Sequence, residues 1–168
     1  MYQWTTRDKL IYALSMIPFL IAFIGAAYLL GTISPLLTVA LILLYLVVNI
    51  FQAGCCIGCP YRGRYCPAIF GVYPANPISV LLYRDREHDN RFFERNANIA
   101  QVLLGIILIG IGYFLATLSG WYLLALVLLL GIHVAIFMTL ICPKCGFNET
   151  CPAGKASCLL VRRPPASR

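Results

Sequence analysis

The chain has 168 residues and a net charge of +7, with 61% hydrophobic and only 11% charged residues. A soluble domain carries about 25% charged and roughly 45–50% apolar residues, so a water-soluble globule is excluded. The basic excess points to anionic headgroups and not to nucleic acid.

The apolar excess falls in four blocks without Asp, Glu, Lys or Arg: Leu10–Leu30, Pro35–Phe51, Ile99–Leu118 and Trp121–Ile141. Crossing a bilayer core takes about 20 helical residues, with a range of roughly 17–25. The expected fold is therefore an all-α integral membrane protein with four transmembrane helices, one membrane domain over residues 1–168. The first block is too long in its apolar core for a signal peptide, and no cleavage site follows it. Pro18 is tolerated within a span, and "GTIS" at Gly31–Ser34 makes a short turn into the second block.

The first cysteine-bearing segment follows, Cys55 and Cys56-x2-Cys59-x6-Cys66-Pro-Ala. Residues 69–98 form a linker in which "FGVYPANP" (Phe70–Pro77) is rich in turn formers. The next stretch, Ile78–Ala97, mixes Leu81, Leu82, Phe92 and Phe93 with charges and predicts an interfacial helix leading into the third span. Within that span Gly105, Gly110 and Gly112 predict close helix packing. The dipeptide Ser119–Gly120 turns the chain into the fourth span, which carries one imidazole, His133. With no second intramembrane His to pair with, it is expected to bond a neighbouring backbone group. The second cysteine segment then reads Cys142-x2-Cys145-x5-Cys151-Pro-Ala, followed by Cys158.

Charge distribution sets the expected topology. All thirteen Lys and Arg lie in three segments: the N-terminus (Arg7, Lys9), the central loop (Arg62, Arg64, Arg84, Arg86, Arg91, Arg95) and the tail from Lys144 onward. Basic residues near span ends mark the cytoplasmic side. A multi-pass protein of the cell membrane is expected, with both termini and the long loop inside and a cysteine-rich cytoplasmic cap. The matching cysteine segments predict an internal repeat, residues 10–68 and 99–158, each copy a two-span hairpin ending in a cysteine motif.

Cytosolic thiols are kept reduced in most organisms, so clustered cysteines there point to metal or redox chemistry and not to structural disulfides. A C-x2-C turn lets two sulfurs reach one centre, and tetrahedral sulfur sites suit zinc or iron–sulfur clusters. The candidate ligands are Cys55, Cys56, Cys59, Cys66, Cys142, Cys145, Cys151 and Cys158. Each motif could close its own site, or the two C-x2-C pairs could meet and leave four thiols for a second. Cys55 is the weakest candidate in the first motif, because adjacent residues cannot easily both face one small centre.

"CPKCG" at Cys142–Gly146 resembles the knuckle of zinc-ribbon proteins, which implies zinc. The Cys-Pro steps at Cys59, Cys66, Cys142 and Cys151 are similar to the one ending bacterial ferredoxin motifs, which implies an iron–sulfur cluster. The vicinal "GCC" at Gly54–Cys56 resembles bacterial mercury-transport membrane proteins, which implies soft-metal handling. Three functions follow as expectations. The leading one is electron transfer through iron–sulfur clusters; the others are a structural-zinc membrane adaptor and a soft-metal or thiol handler. The expected partners are membrane lipid and a soluble redox or other protein partner at the cytoplasmic face. No Ser/His/Asp set, phosphate-cradling Gly loop or carboxylate pair occurs, which argues against hydrolysis and group transfer.

Overall fold

The computed structural model describes residues 3–67, 69, 74–87, 89–145 and 152–161. Among them four helices are long and apolar enough to cross a membrane, and no strand occurs. Helix α1 spans Thr6–Ile33, α2 Pro35–Cys55, α3 Ala75–Leu82, α4 Asn90–Leu118, α5 Gly120–Ile136 and α6 Pro152–Val161.

The ends of the long helices follow from their capping chemistry. Thr5 and Asp8 form a reciprocal capping box that starts α1 ahead of the first apolar residue. Asp89 accepts the Arg91 N–H and starts α4 nine residues before the uncharged block. Both helices are thus longer than the segments hydropathy marks. At 28 residues α1 is about 42 Å long, more than the hydrocarbon core needs, so its ends project beyond it. The charged stretch before the third span is divided. Its first part is α3, Asn90 onward is the leading end of α4, and the capping Asp89 separates the two. Ala75–Pro77 of the turn-rich stretch lie inside α3; Phe70–Tyr73 lie outside the described residues.

Single residues make the two outer corners. Ser34 and Ser119 are both extended (φ −160°, ψ 130° and φ −169°, ψ 139°), and their N–H groups donate to Leu30 and Leu115 carbonyls at 2.9 Å. Each then serves as N-cap residue for the next helix. The four long helices form a ring in which α1 touches α2 and α5, and α4 closes it against the same two. Ala22, Ala26, Leu30, Leu41, Val48, Ile107, Ile111, Leu115 and Leu126 fill the centre. Large side chains such as Ile24, Leu36 and Ile109 point outward, as expected of a surface bathed in lipid.

The closest helix approach is on α2, not at the α4 glycines. A Cβ placed at Gly54 would lie 2.8 Å from Asn96 Cγ, whereas Gly105 and Gly110 have nothing within 4 Å and Gly112 meets only Leu123, at 3.6 Å. Asn96 cannot easily yield, because its amide donates to the Phe92 carbonyl at 2.7 Å and its side chain is buried. Gly54→Val is accordingly expected to destabilise the protein by about 1–3 kcal/mol. Adding Asn96→Ala should recover part of that loss. Thermal unfolding of both variants in detergent checks the pair, and an unchanged single variant would refute the tight contact.

Candidate metal centre

The first cysteine segment is a chain of turns at the end of α2. The Cys56 N–H donates to Ala53 O, Cys59 N–H to Cys56 O and Arg62 N–H to Cys59 O, each at 3.1 Å. Arg64 N–H reaches Tyr61 O at 2.9 Å. Gly63 has φ +71°, a left-handed conformation that glycine adopts without strain. This curl brings Cys56, Cys59 and Cys66 to one side of the helix end.

Two side chains fasten the curl to α3. Asn76 accepts from Gly63 N–H at 2.8 Å and donates to the carbonyls of Tyr61 at 3.0 Å and Arg64 at 2.8 Å. In return the Arg62 guanidinium donates to the Ser79 and Tyr83 carbonyls at the end of α3, at 2.9 and 2.5 Å. Buried backbone groups need partners, and here two side chains from opposite sides supply them.

The second segment is reached through a widened turn. After His133 the helix opens into a π-helical turn, Phe137–Ile141, then a 3-10 turn, Cys142–Lys144. The Thr139 hydroxyl donates to the Ala135 carbonyl at 2.7 Å, a back-bond of the kind that perturbs helices. Cys142 is buried in a cluster with Tyr12, Phe137 and Ile141. The Cys145 N–H donates to Cys142 O at 3.1 Å, which closes the Cys-Pro-Lys-Cys turn. Between the two cysteines Lys144 reaches back across the bundle, its Nζ 2.6 Å from Oδ1 of the buried Asp8.

These turns bring Cys145 to the first loop. The Cys66 Sγ lies 3.9 Å from the Pro67 carbonyl and close enough to Cys59 to hydrogen-bond it, and Cys56 and Cys145 are near enough for their charge to act on Cys66. The hydrogen bond from Cys66, with help from the Tyr61 N–H, lowers the Cys59 thiol to about 7. Cys66 is pushed upward by the same bond and by burial. Burial, then the neighbouring Cys59, raises Cys56 to about 12. These electrostatic effects link four thiols, while among the described residues no group of three or more Cys, His, Asp or Glu is placed to hold a metal ion. Cys55 points elsewhere, its thiol 3.9 Å from the Phe51 carbonyl and 3.8 Å from that of Phe93 on α4. Cys158 is half-buried on α6, and Cys151 lies outside the described residues.

Around the thiols runs a feature that the sequence does not announce. Tyr65, beside Cys66, meets Tyr12 at 6.2 Å between ring centroids, and Tyr12 meets Phe137 at 6.4 Å. From there the row continues to His133 (6.1 Å), Phe19 (5.5 Å), Phe23 (6.0 Å) and Tyr45 (4.9 Å). His133 is held by a 2.7 Å bond between Nδ1 and the Ser15 carbonyl, the backbone partner expected of it. From Tyr12 to Phe23 the row climbs about 16 Å along α1 at ~1.5 Å per residue, roughly half the hydrocarbon thickness.

Asp8, Lys144, Asn76 and Arg62 are site-shaping residues that motif spacing does not reveal. Asp8 did carry a signal, being the lone acid in the chain before residue 85 and placed at the mouth of a span. No family model matches the chain, and no curated protein or solved structure matches it.

Proposed function

We propose that this membrane protein carries electrons through an iron–sulfur cluster held by Cys56, Cys59, Cys66 and Cys145. The observation that carries the reading is the row of aromatic rings from Tyr65, in the cysteine loop, to Tyr45 inside the bundle, with no step longer than 6.4 Å. Electron tunnelling falls steeply with the gap between π systems, and rings this close leave little space between their edges. A row from a thiol group to mid-membrane suits transfer between a centre at the surface and a carrier dissolved in lipid.

The donors are of the chemical type such a group takes, although they do not stand at ligating distance from one centre. Four cysteine thiolates hold either a two-iron or a four-iron cluster, whose chemistry when bound is one-electron exchange. The Tyr61 N–H donates to the Cys59 sulfur, and the partial burial of Cys56, Cys59 and Cys66 lowers the local dielectric. A purely structural zinc is less well supported, because Asn76 and Arg62 already hold the loop with five hydrogen bonds. Soft-metal passage through a Cys55–Cys56 pair is also less well supported, since the Cys55 thiol is engaged by two carbonyls.

The same reading takes the cysteine-bearing end as cytoplasmic, because in the sequence every Lys and Arg falls in the segments that carry or flank the cysteines or in the N-terminus, and none in the two short outer turns. It takes the chain as two related hairpins, α1–α2 and α4–α5, a view supported by their matching serine corners.

Protein purified without oxygen is expected to be brown and to contain iron with inorganic sulfide. Bleaching of its visible absorption by a lipid-soluble quinol should slow in Phe137→Leu, while reduction by aqueous dithionite should not. Zinc in a colourless protein would replace this reading with the structural one.

A further inference from the structure

We infer that α3 and α6 are interfacial helices that seat in the lipid boundary of the membrane their own chain spans, with anionic phospholipid as the preferred occupant. The reading does not depend on what the cysteines hold.

Both helices are amphipathic the wrong way round for water. A helix on a soluble protein turns apolar residues inward and polar ones outward. On α3 the buried residues are Ala75, Asn76 and Ser79, with Asn76 spent on the cysteine loop and the Ser79 carbonyl on Arg62. Leu81 (79% exposed) and Leu82 (61%) face outward with Val80. The same inversion occurs on α6, where Ser157 is fully buried and donates to the Met138 carbonyl while Leu159 (81%) and Leu160 (72%) face outward. The two helices even share an order of residues, Ser79-Val80-Leu81-Leu82-Tyr83-Arg84 and Ser157-Cys158-Leu159-Leu160-Val161-Arg162. One inverted helix could be an accident of packing, but two with one pattern, both at the cysteine-bearing end, require an apolar environment outside.

Charge chooses the lipid. Leu81 forms a ridge between two surface grooves, one lined by Arg84 and Arg86, the other by Arg64 with Gly63 and Asn76. Arg86 is held in place with its guanidinium 3.7 Å from the centroid of Phe92. Asp85 lines the first groove between its two arginines, which leaves that lining net positive, and both Asp85 and Glu87 are exposed. An acyl chain against Leu81 and Leu82 with its phosphate among these guanidinium groups satisfies both surfaces. Because Arg62 and Asn76 tie α3 to the cysteine loop, lipid contact at Leu81 is one hydrogen-bonded step from Cys59 and Cys66.

The test uses the full chain carrying Leu81→Trp in vesicles, with the unsubstituted protein subtracted for Trp4 and Trp121. Leu81 is so exposed that tryptophan there disturbs no packing. Phosphatidylglycerol brominated on its acyl chains should quench the added emission more than equally brominated phosphatidylcholine at the same mole fraction. Arg84→Gln should cut that preference about fivefold. Equal quenching by the two lipids, unchanged by Arg84→Gln, would overturn the anionic preference. Quenching by aqueous acrylamide and by neither lipid would overturn the whole inference and assign the ridge to a soluble partner.

Discussion

If the proposed iron–sulfur cluster is held by these thiols, replacing Cys66 by serine is expected to strip the protein of iron and sulfide, while Cys55→Ser leaves both at wild-type content. Cys66 is the thiol on which Cys59, Cys56 and Cys145 all act. A serine hydroxyl does not ionise near neutral pH and is a poor ligand for iron in a sulfur site. The loss should exceed the roughly 10- to 100-fold that removal of an outer-shell partner costs a metal site. Cys55 differs because its thiol already faces the carbonyls of Phe51 and Phe93, and a hydroxyl can donate to the same oxygens. Cys145→Ser should behave like Cys66→Ser although 79 residues separate them in the chain. Metal analysis on anaerobically purified variants decides the matter. Equal loss in Cys55→Ser and Cys66→Ser would show that the thiols are grouped differently.

The second large effect is expected from Lys144→Met. Asp8 is nearly inaccessible, and it receives Thr5 N–H and Thr5 hydroxyl bonds on one oxygen and Lys144 on the other. Removing the ammonium leaves a buried carboxylate short of its counter-charge, a change that costs roughly 3–5 kcal/mol when a fully buried pair is broken. With 33% of the Lys144 side chain in solvent, the expected loss is about 2–3 kcal/mol. Asp8→Asn should be milder, because it removes the charge together with the need for a partner. Lys144→Arg should retain most of the stability. Unfolding in detergent, combined as a double-mutant cycle, isolates the pair's own contribution. A cycle energy near zero would mean that the contact holds nothing together. A positive one would show that the position of Cys145 is set from the first turn of α1.

The spans were legible because hydrocarbon selects against charge residue by residue, so Leu10–Leu30 and Trp121–Ile141 stand out without any knowledge of neighbours. Their true ends were not. Immersion stops at the first charge, but α1 continues through Asp8 to its Thr5 cap and α4 reaches back to Asn90. The cysteine motifs were legible as chemistry and not as geometry. Spacing says that Cys142 and Cys145 share a turn, but it cannot say that the π-helical turn before them aims Cys145 toward a loop in the other half of the chain. The aromatic row was invisible for a related reason. Its members come from the first loop, α1, α2 and the end of α5, and none of these segments has an unusual ring content alone. Glycine misled in the other direction, since Gly105 and Gly110 look like a packing motif while the actual close contact is at Gly54, beside the cysteines.

The grouping of the thiols also bears on how the molecule is made. Three of the four, Cys56, Cys59 and Cys66, leave the ribosome with the first hairpin, and Asn76 and Arg62 can fasten their loop before the third span is synthesised. The fourth, Cys145, emerges only after α5 is complete, and it is brought home by a lysine that must find an aspartate made 136 residues earlier. A nascent chain therefore holds an open three-thiol cup through most of its insertion, and the last hairpin closes it. On the proposed function, cluster loading would then coincide with the end of assembly, so that a chain stalled or cut before α5 would remain empty and distinguishable from a finished one.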